Sequence, residues 1–134
     1  MSELGYGAAR GATENRRQFI ATVQAAIDAG VNFVDTAADY DDGASEEAIG
    51  EALRGCDGVM VETKYRPYAG WEPAAAYTGS PTTLVASVEG SLRRLQRDHV
   101  DVLLGHGIRT LSSFEQFMSD GCWDAMVPLR EQGK

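Results

Sequence analysis

The chain is poor in cysteine and histidine, with two of each among 134 residues, and each shortage removes a class of protein. Cys56 and Cys122 stand far apart, outside any CxxC or Cys/His ligand spacing, so neither a disulfide framework nor a zinc site is encoded, and free thiols in a reducing compartment are expected. Basic residues are outnumbered, 12 Lys and Arg against 20 Asp and Glu, which leaves a net charge of -8. No run of basic residues forms the stripe that nucleic acid phosphates require, so nucleic acid is not an expected partner. No long apolar run is present, and the N-terminus lacks a basic stretch leading into an apolar one. Neither membrane insertion nor secretion is therefore encoded, and the expected location is the cytoplasm. What remains, 43% hydrophobic and 24% charged, is the composition of one ordinary globular domain over residues 1–134.

The hydrophobic pattern alternates between two periods. Leu4 to Ala9 is a short glycine-interrupted apolar run. Thr13 offers an N-cap for a helix from about Arg16 to Ala29, in which Phe19, Ile20, Val23 and Ile27 share a face and Gly30 ends the pattern. Val31 to Thr36 reads as a strand. Ser45 offers a cap for a second helix through Ile49 and Leu53, ending at Gly55, and Val59 to Thr63 is a third strand. A loop over Tyr65 to Thr78, rich in proline, glycine and aromatics, is longer than a simple connection needs. Ser80 and Pro81 form an N-cap and first-turn pair for a helix lined by Leu84, Val88, Leu92 and Leu95. Val100 to Leu104 is a fourth strand, and Ser112 or Ser113 begins a last helical region that Gly121 and Pro128 interrupt.

Strand followed by helix, four times over, predicts an α/β fold with a parallel sheet. Eight such units make a (β/α)8 TIM-type barrel of about 250 residues, so four units amount to a half-barrel. In barrels of this kind the chemistry sits at the C-terminal ends of the strands. Asp35 falls at the end of the second, Lys64 of the third and His106 of the fourth, with Tyr40 in the loop after Asp35. Alternation along the strands turns Asp35 and His106 to the barrel interior. An inward Asp and Lys are most simply a pair, because each is costly to bury alone, and an ammonium near a tyrosine lowers its pKa and suits it to proton transfer. Glu62 shares the inward parity of Lys64 and competes for the same ammonium. Taken singly these residues have plain readings: Asp35 as a turn cap, Lys64 on the rim, His106 in the core. Their joint placement at successive strand ends is what points to a site.

Gly30-Val31-Asn32-Phe33-Val34-Asp35-Thr36-Ala37-Ala38-Asp39-Tyr40, followed by Ser45-Glu46-Glu47-Ala48-Ile49-Gly50, resembles the signature of the aldo-keto reductase family. Glu62-Thr63-Lys64 resembles the strand that carries the family's lysine. Val100-Asp101-Val102-Leu103-Leu104-Gly105-His106 resembles the strand that ends in its histidine. The similarity runs in order from Leu4 to Lys134. It implies reversible reduction of an aldehyde or ketone to an alcohol, with hydride from NADPH (or NADH) and a proton from Tyr40. Lys64 would then tune Tyr40, Asp35 would pair with Lys64, and His106 would hydrogen-bond the carbonyl oxygen. Tyr68 and Trp71 would be candidates for the substrate wall, or else form a small core of their own within the long loop. A full family member supplies its phosphate-binding and nicotinamide-stacking residues largely from the second half of the barrel, beyond four units. Gly105 replaces a bulkier family residue, which would loosen the placement of the histidine ring.

Three other readings compete. Gly5-Tyr6-Gly7-Ala8-Ala9-Arg10-Gly11 follows a strand and precedes a helix, but GxGxxxG has the wrong spacing for a dinucleotide fingerprint. A hydrolase using Asp35 and His106 would need further metal-type ligands that the sequence does not supply, and no metal is expected. The third is a catalytically inactive, truncated half-barrel, since four units leave two sheet edges in need of cover and invite self-association or a partner chain.

Overall fold

Helix α1 (Arg16–Asp28) starts where the Asn15 side chain accepts the amide of Gln18, so Asn15 and not Thr13 is its cap. Gly30, with φ of +95°, takes the left-handed conformation that ends it. The computed structural model of the chain describes residues 1–72 and 75–134; Pro73 and Ala74, in the expected loop, lie outside the described residues. Strands β1 (Tyr6–Gly7), β2 (Phe33–Asp35), β3 (Met60–Tyr65) and β4 (Val102–Gly105) form one parallel sheet in the order of the sequence. They are displaced by one or two residues from the expected runs. The shift matters at β3, which runs on through Lys64 instead of stopping before it.

Helix α2 (Ala44–Ala52) is preceded by Gly43, φ +89°, and has no side-chain cap. Ser45 therefore does not cap the helix. Its hydroxyl is fully buried, donating to the carbonyl of Ala8 at 2.6 Å and meeting Thr36 Oγ1 at 2.9 Å, so it ties α2 to the ends of β1 and β2. Helix α3 (Pro81–Leu95) begins as its sequence predicts, with Ser80 as cap and Pro81 in the first turn. The expected last helix is two, α4 (Leu111–Ser119) and α5 (Cys122–Glu131). Thr110, not Ser112 or Ser113, caps α4, and Gly121 in the left-handed region makes the bend between the two. Pro128 sits inside α5 without ending it.

The helices lie against one face of the sheet. Val23, Val34, Ala48, Ile49 and Val61 are fully buried in one cluster between α1, α2 and β1–β3. Leu84, Val88, Leu92, Phe117, Cys122 and Leu129 fill a second between α3, α4 and α5. The opposite face carries Gly7, Asp35, Glu62 and Val102 in one register row, with Lys64 beside Leu104 two residues further along. This is the arrangement of half a (β/α)8 barrel, helices outside and the barrel-lining face inside. Leu104, on that inner face, is 41% exposed. Both cysteines are free, Cys122 buried and Cys56 half-buried.

Candidate active site

The polar residues of the inner face gather where the strands end. The Lys64 ammonium pairs with Asp35 across the β2–β3 register and donates to the carbonyl of Thr36 at 2.7 Å. Glu62, one step back on the same face, stands 3.8 Å from Nζ, a lesser partner for the ammonium than Asp35. Burial lowers the Lys64 pKa to about 8, because removing an ammonium from water disfavours its charged form. Burial also raises that of the Glu62 carboxyl.

Tyr40 opens a 3-10 turn (Tyr40–Gly43) in which Asp41 and Asp42 take positive φ, 49° and 52°. Left-handed conformations are uncommon for non-glycine residues, and each costs about 1 kcal/mol or more unless its surroundings impose it. Here the Asp41 carboxylate accepts the amides of Ala12 and Thr13, at 2.9 and 3.3 Å, and so pins the turn to the loop after β1. Pinned in this way, the Tyr40 ring lies beneath the Lys64 ammonium, 4.9 Å from the ring centroid. The expected lowering of the tyrosine pKa is overturned. Burial, then the charges of Asp39 and Glu62, raise it.

His106 follows β4, its amide donating to the carbonyl of Tyr65 at 2.7 Å. Its ring meets Tyr40 edge to face, centroids 5.5 Å apart, and Trp71 likewise at 4.9 Å. Nδ1 lies 3.0 Å from the Asp39 carboxylate. The ring is thus held on three sides, and the looseness expected from Gly105 does not arise. A Cβ at Gly105 would come within 2.6 Å of Ile108 Cδ1, so the space a larger residue would take is already filled.

Asp35, Tyr40, Lys64 and His106 therefore converge, as their strand-end positions predicted, and Trp71 joins them. Trp71 is 49% exposed, and the Arg66 guanidinium is stacked 3.5 Å from its centroid. With Tyr68 it borders a cleft of about 270 Å³ that Arg66, Gly107 and Arg109 also line. Tyr68 additionally packs on Tyr77, centroids 5.5 Å apart, across a short antiparallel bridge, so the small-core reading of the loop describes it as well. A second cleft of about 600 Å³ runs from Ala9 and Arg10 past Asp39 and Tyr40 to Trp71. Sequence reasoning missed Asp39 and Arg66. Asp39 sits inside the quoted signature and Arg66 two residues after Lys64, but their partners come from other strands. No group of three or more His, Cys, Asp or Glu residues able to hold a metal exists among the described residues. Nor does any helix among them have the length and apolarity to cross a membrane.

A four-stranded parallel sheet with helices on one face and these clefts at its strand ends is half of a (β/α)8 barrel. The chain belongs to the aldo/keto reductase family, whose model matches residues 3–134. It is 34% identical over 121 residues to the methylglyoxal reductase YeaE of Escherichia coli, a match covering 89% of this chain and 37% of that one. Among solved structures it is similar to an aldo-keto reductase from Klebsiella pneumoniae in complex with NADPH, at 34% identity and a TM-score of 0.63, covering 87% of this chain and 41% of that one. Another is the aldo-keto reductase AKR11C1 from Bacillus halodurans in its holo form, at 28% identity and a TM-score of 0.67, covering 90% and 43%. The chain spans less than half the length of each of these relatives.

Proposed function

We propose that this chain provides the carbonyl end of an NAD(P)H-dependent reductase site, for reversible reduction of an aldehyde or ketone to an alcohol. The observation that carries the reading is the convergence of Asp35, Tyr40, Lys64 and His106 at the ends of adjacent parallel strands. Tyr40 is the proton donor, and its raised pKa keeps the hydroxyl protonated at neutral pH. Lys64 holds positive charge over the Tyr40 ring, where it stabilises negative charge that develops on the phenolic oxygen as the proton leaves. Asp35 keeps that ammonium in place. His106 orients the carbonyl oxygen, and Trp71 and Tyr68 form the wall against which the rest of the substrate lies.

The residues present fit one end of a nicotinamide cofactor. The inner face is open at Gly7, where a Cβ would meet nothing within 4 Å, and Gly7 is in register with Asp35. NADPH, or NADH in its place, supplies the hydride when bound. The expected setting is cytoplasmic, and the partner is a small carbonyl compound.

The test is titration of the purified chain with NADPH, followed by Trp71 and Trp123 fluorescence, and then a screen of aldehydes and ketones for loss of NADPH absorbance. Saturable quenching and turnover that falls by about 100-fold or more in Tyr40→Phe are expected. Absence of both binding and turnover would refute the reading for the chain by itself. In that case the exposed apolar residues, Leu104 at 41%, Phe114 at 49% and Trp123 at 51%, favour a second reading. It is an inactive half-barrel that covers these surfaces by self-association, and sedimentation would show it as a dimer or larger.

A further inference from the structure

Two charged side chains beside His106 hold buried polar atoms without partners, Arg66 Nη1 among them. Asp39 Oδ2 and Arg66 Nε are buried and have no hydrogen-bond partner among the described residues, and they stand 3.8 Å apart. Their side chains are 23% and 11% exposed. Buried polar atoms without partners are costly, and this pair needs less than 1 Å of closure to satisfy both. The other Asp39 oxygen already contacts His106 Nδ1. The three groups come from three loops, those after β2, β3 and β4, and form a guanidinium–carboxylate–imidazole chain that ends in a ring packed on Tyr40 and Trp71, the two aromatics that line the larger cleft. His106 Nε2, across the ring from Nδ1, has no protein partner among the described residues, and the His106 side chain keeps 14% of its surface exposed.

We propose that Asp39, itself held by Arg66, is a positioning residue that fixes His106 with its Nδ1–H on the carboxylate and leaves Nε2 for a ligand. A carboxylate only accepts hydrogen bonds, so the facing Nδ1 must carry the proton. The neutral ring then presents a bare Nε2 that accepts a proton or hydrogen bond, and only the imidazolium presents an Nε2–H that donates. On the reading of the cleft as a carbonyl site, His106 donates to a carbonyl oxygen only when charged, and accepts from an alcohol when neutral. The other groups near the ring are Tyr40 after β2, Lys64 beyond it with Asp35 and Glu62, and Arg66 behind Asp39. The carboxylate in contact with Nδ1 belongs to Asp39.

The experiment is long-range proton–nitrogen NMR of the imidazole rings in the labelled chain at a pH where they are neutral, with His99→Gln to assign the two histidines. An unconstrained imidazole prefers the Nε2–H form, and His99, whose own Nδ1 meets the Asp98 carboxylate at 2.7 Å, is removed by the substitution so that the His106 ring is read by itself. The expected result is Nδ1–H at His106. The ratio of the two forms should fall about tenfold or more in Asp39→Ala, which loses a charge-assisted hydrogen bond. It should survive in Asp39→Asn, whose amide oxygen still accepts, and fall part of the way in Arg66→Met. An Nε2–H form in the unmodified chain, or a ratio unmoved by Asp39→Ala, would overturn the proposal. If Asp39→Ala does not fold, the unmodified chain and Asp39→Asn decide. The readout needs neither cofactor nor turnover, so failure of the NADPH titration and failure of this proposal are told apart.

Discussion

Residues 63 and 64 are neighbours on β3, yet each faces a charged group in a different world. On the helix side, the Thr63 hydroxyl donates at 2.5 Å to Glu46, a carboxylate with no exposed surface, whose other oxygen takes Arg94 at 2.7 Å. Every lone carboxylate oxygen there has a partner, and the trio joins α2, β3 and α3. On the inner face, Lys64 is nearly as buried, but its partner Asp35 is 39% exposed, its pKa is lowered, and Asp39 and Arg66 nearby are left unsatisfied. The same chemistry serves as a structural clasp where it is saturated and makes a poised site where it is not.

The largest effect should come from breaking the saturated side. Glu46→Ala leaves the Arg94 guanidinium and Thr63 hydroxyl without their partner in a closed layer, and should destabilise by about 3 kcal/mol. That is the lower end for a buried pair, since Arg94 is 29% exposed; the denaturation midpoint measures it, and a change below about 1 kcal/mol would dissolve the contrast. Lys64→Met should do the opposite. Lys64 releases its proton near pH 8 in the folded chain but near 10.5 when unfolded, so between those values the unfolded state binds more protons and stability rises with pH. Over that window the gain approaches about 3 kcal/mol. Lys64→Met should lack this rise and be no less stable than the unmodified chain at pH 7, as unfolding curves compared from pH 7 to 10 would show.

A smaller effect is expected at Gly50, where α2 meets the end of α3. A Cβ there would lie 2.6 Å from the backbone oxygens of Arg94 and Leu95. Gly50→Ala must therefore push the helices apart, despite alanine's better helix propensity, at about 2 kcal/mol. The smallest is at the open flank: Thr110→Ala removes the α4 cap and should cost about 1 kcal/mol. Hydrogen exchange should place that loss in α4, leaving α1 and α2 protected.

Much of this was legible in the residues. The alternation of period-2 and period-3.6 runs gave the four units, and strand parity put Asp35, Lys64 and His106 on one face, because side-chain direction along a strand is a local property. Caps were less legible. Asn15, Thr13, Ser45 and Ser112 are all good capping types, and which one caps depends on where the chain enters the helix. Ser45 was claimed instead by Ala8 and Thr36, two groups distant in sequence.

The sequence by itself determined the family, the order of the elements and the four residues that meet at the strand ends. Only the tertiary structure decided how they are charged and held. Lys64 is shifted by burial, Tyr40 is raised by burial and then by Asp39 and Glu62, and His106 meets a carboxylate 67 residues away. Electrostatic environment depends on desolvation and on distances between strands, and neither is a property of any local stretch of chain.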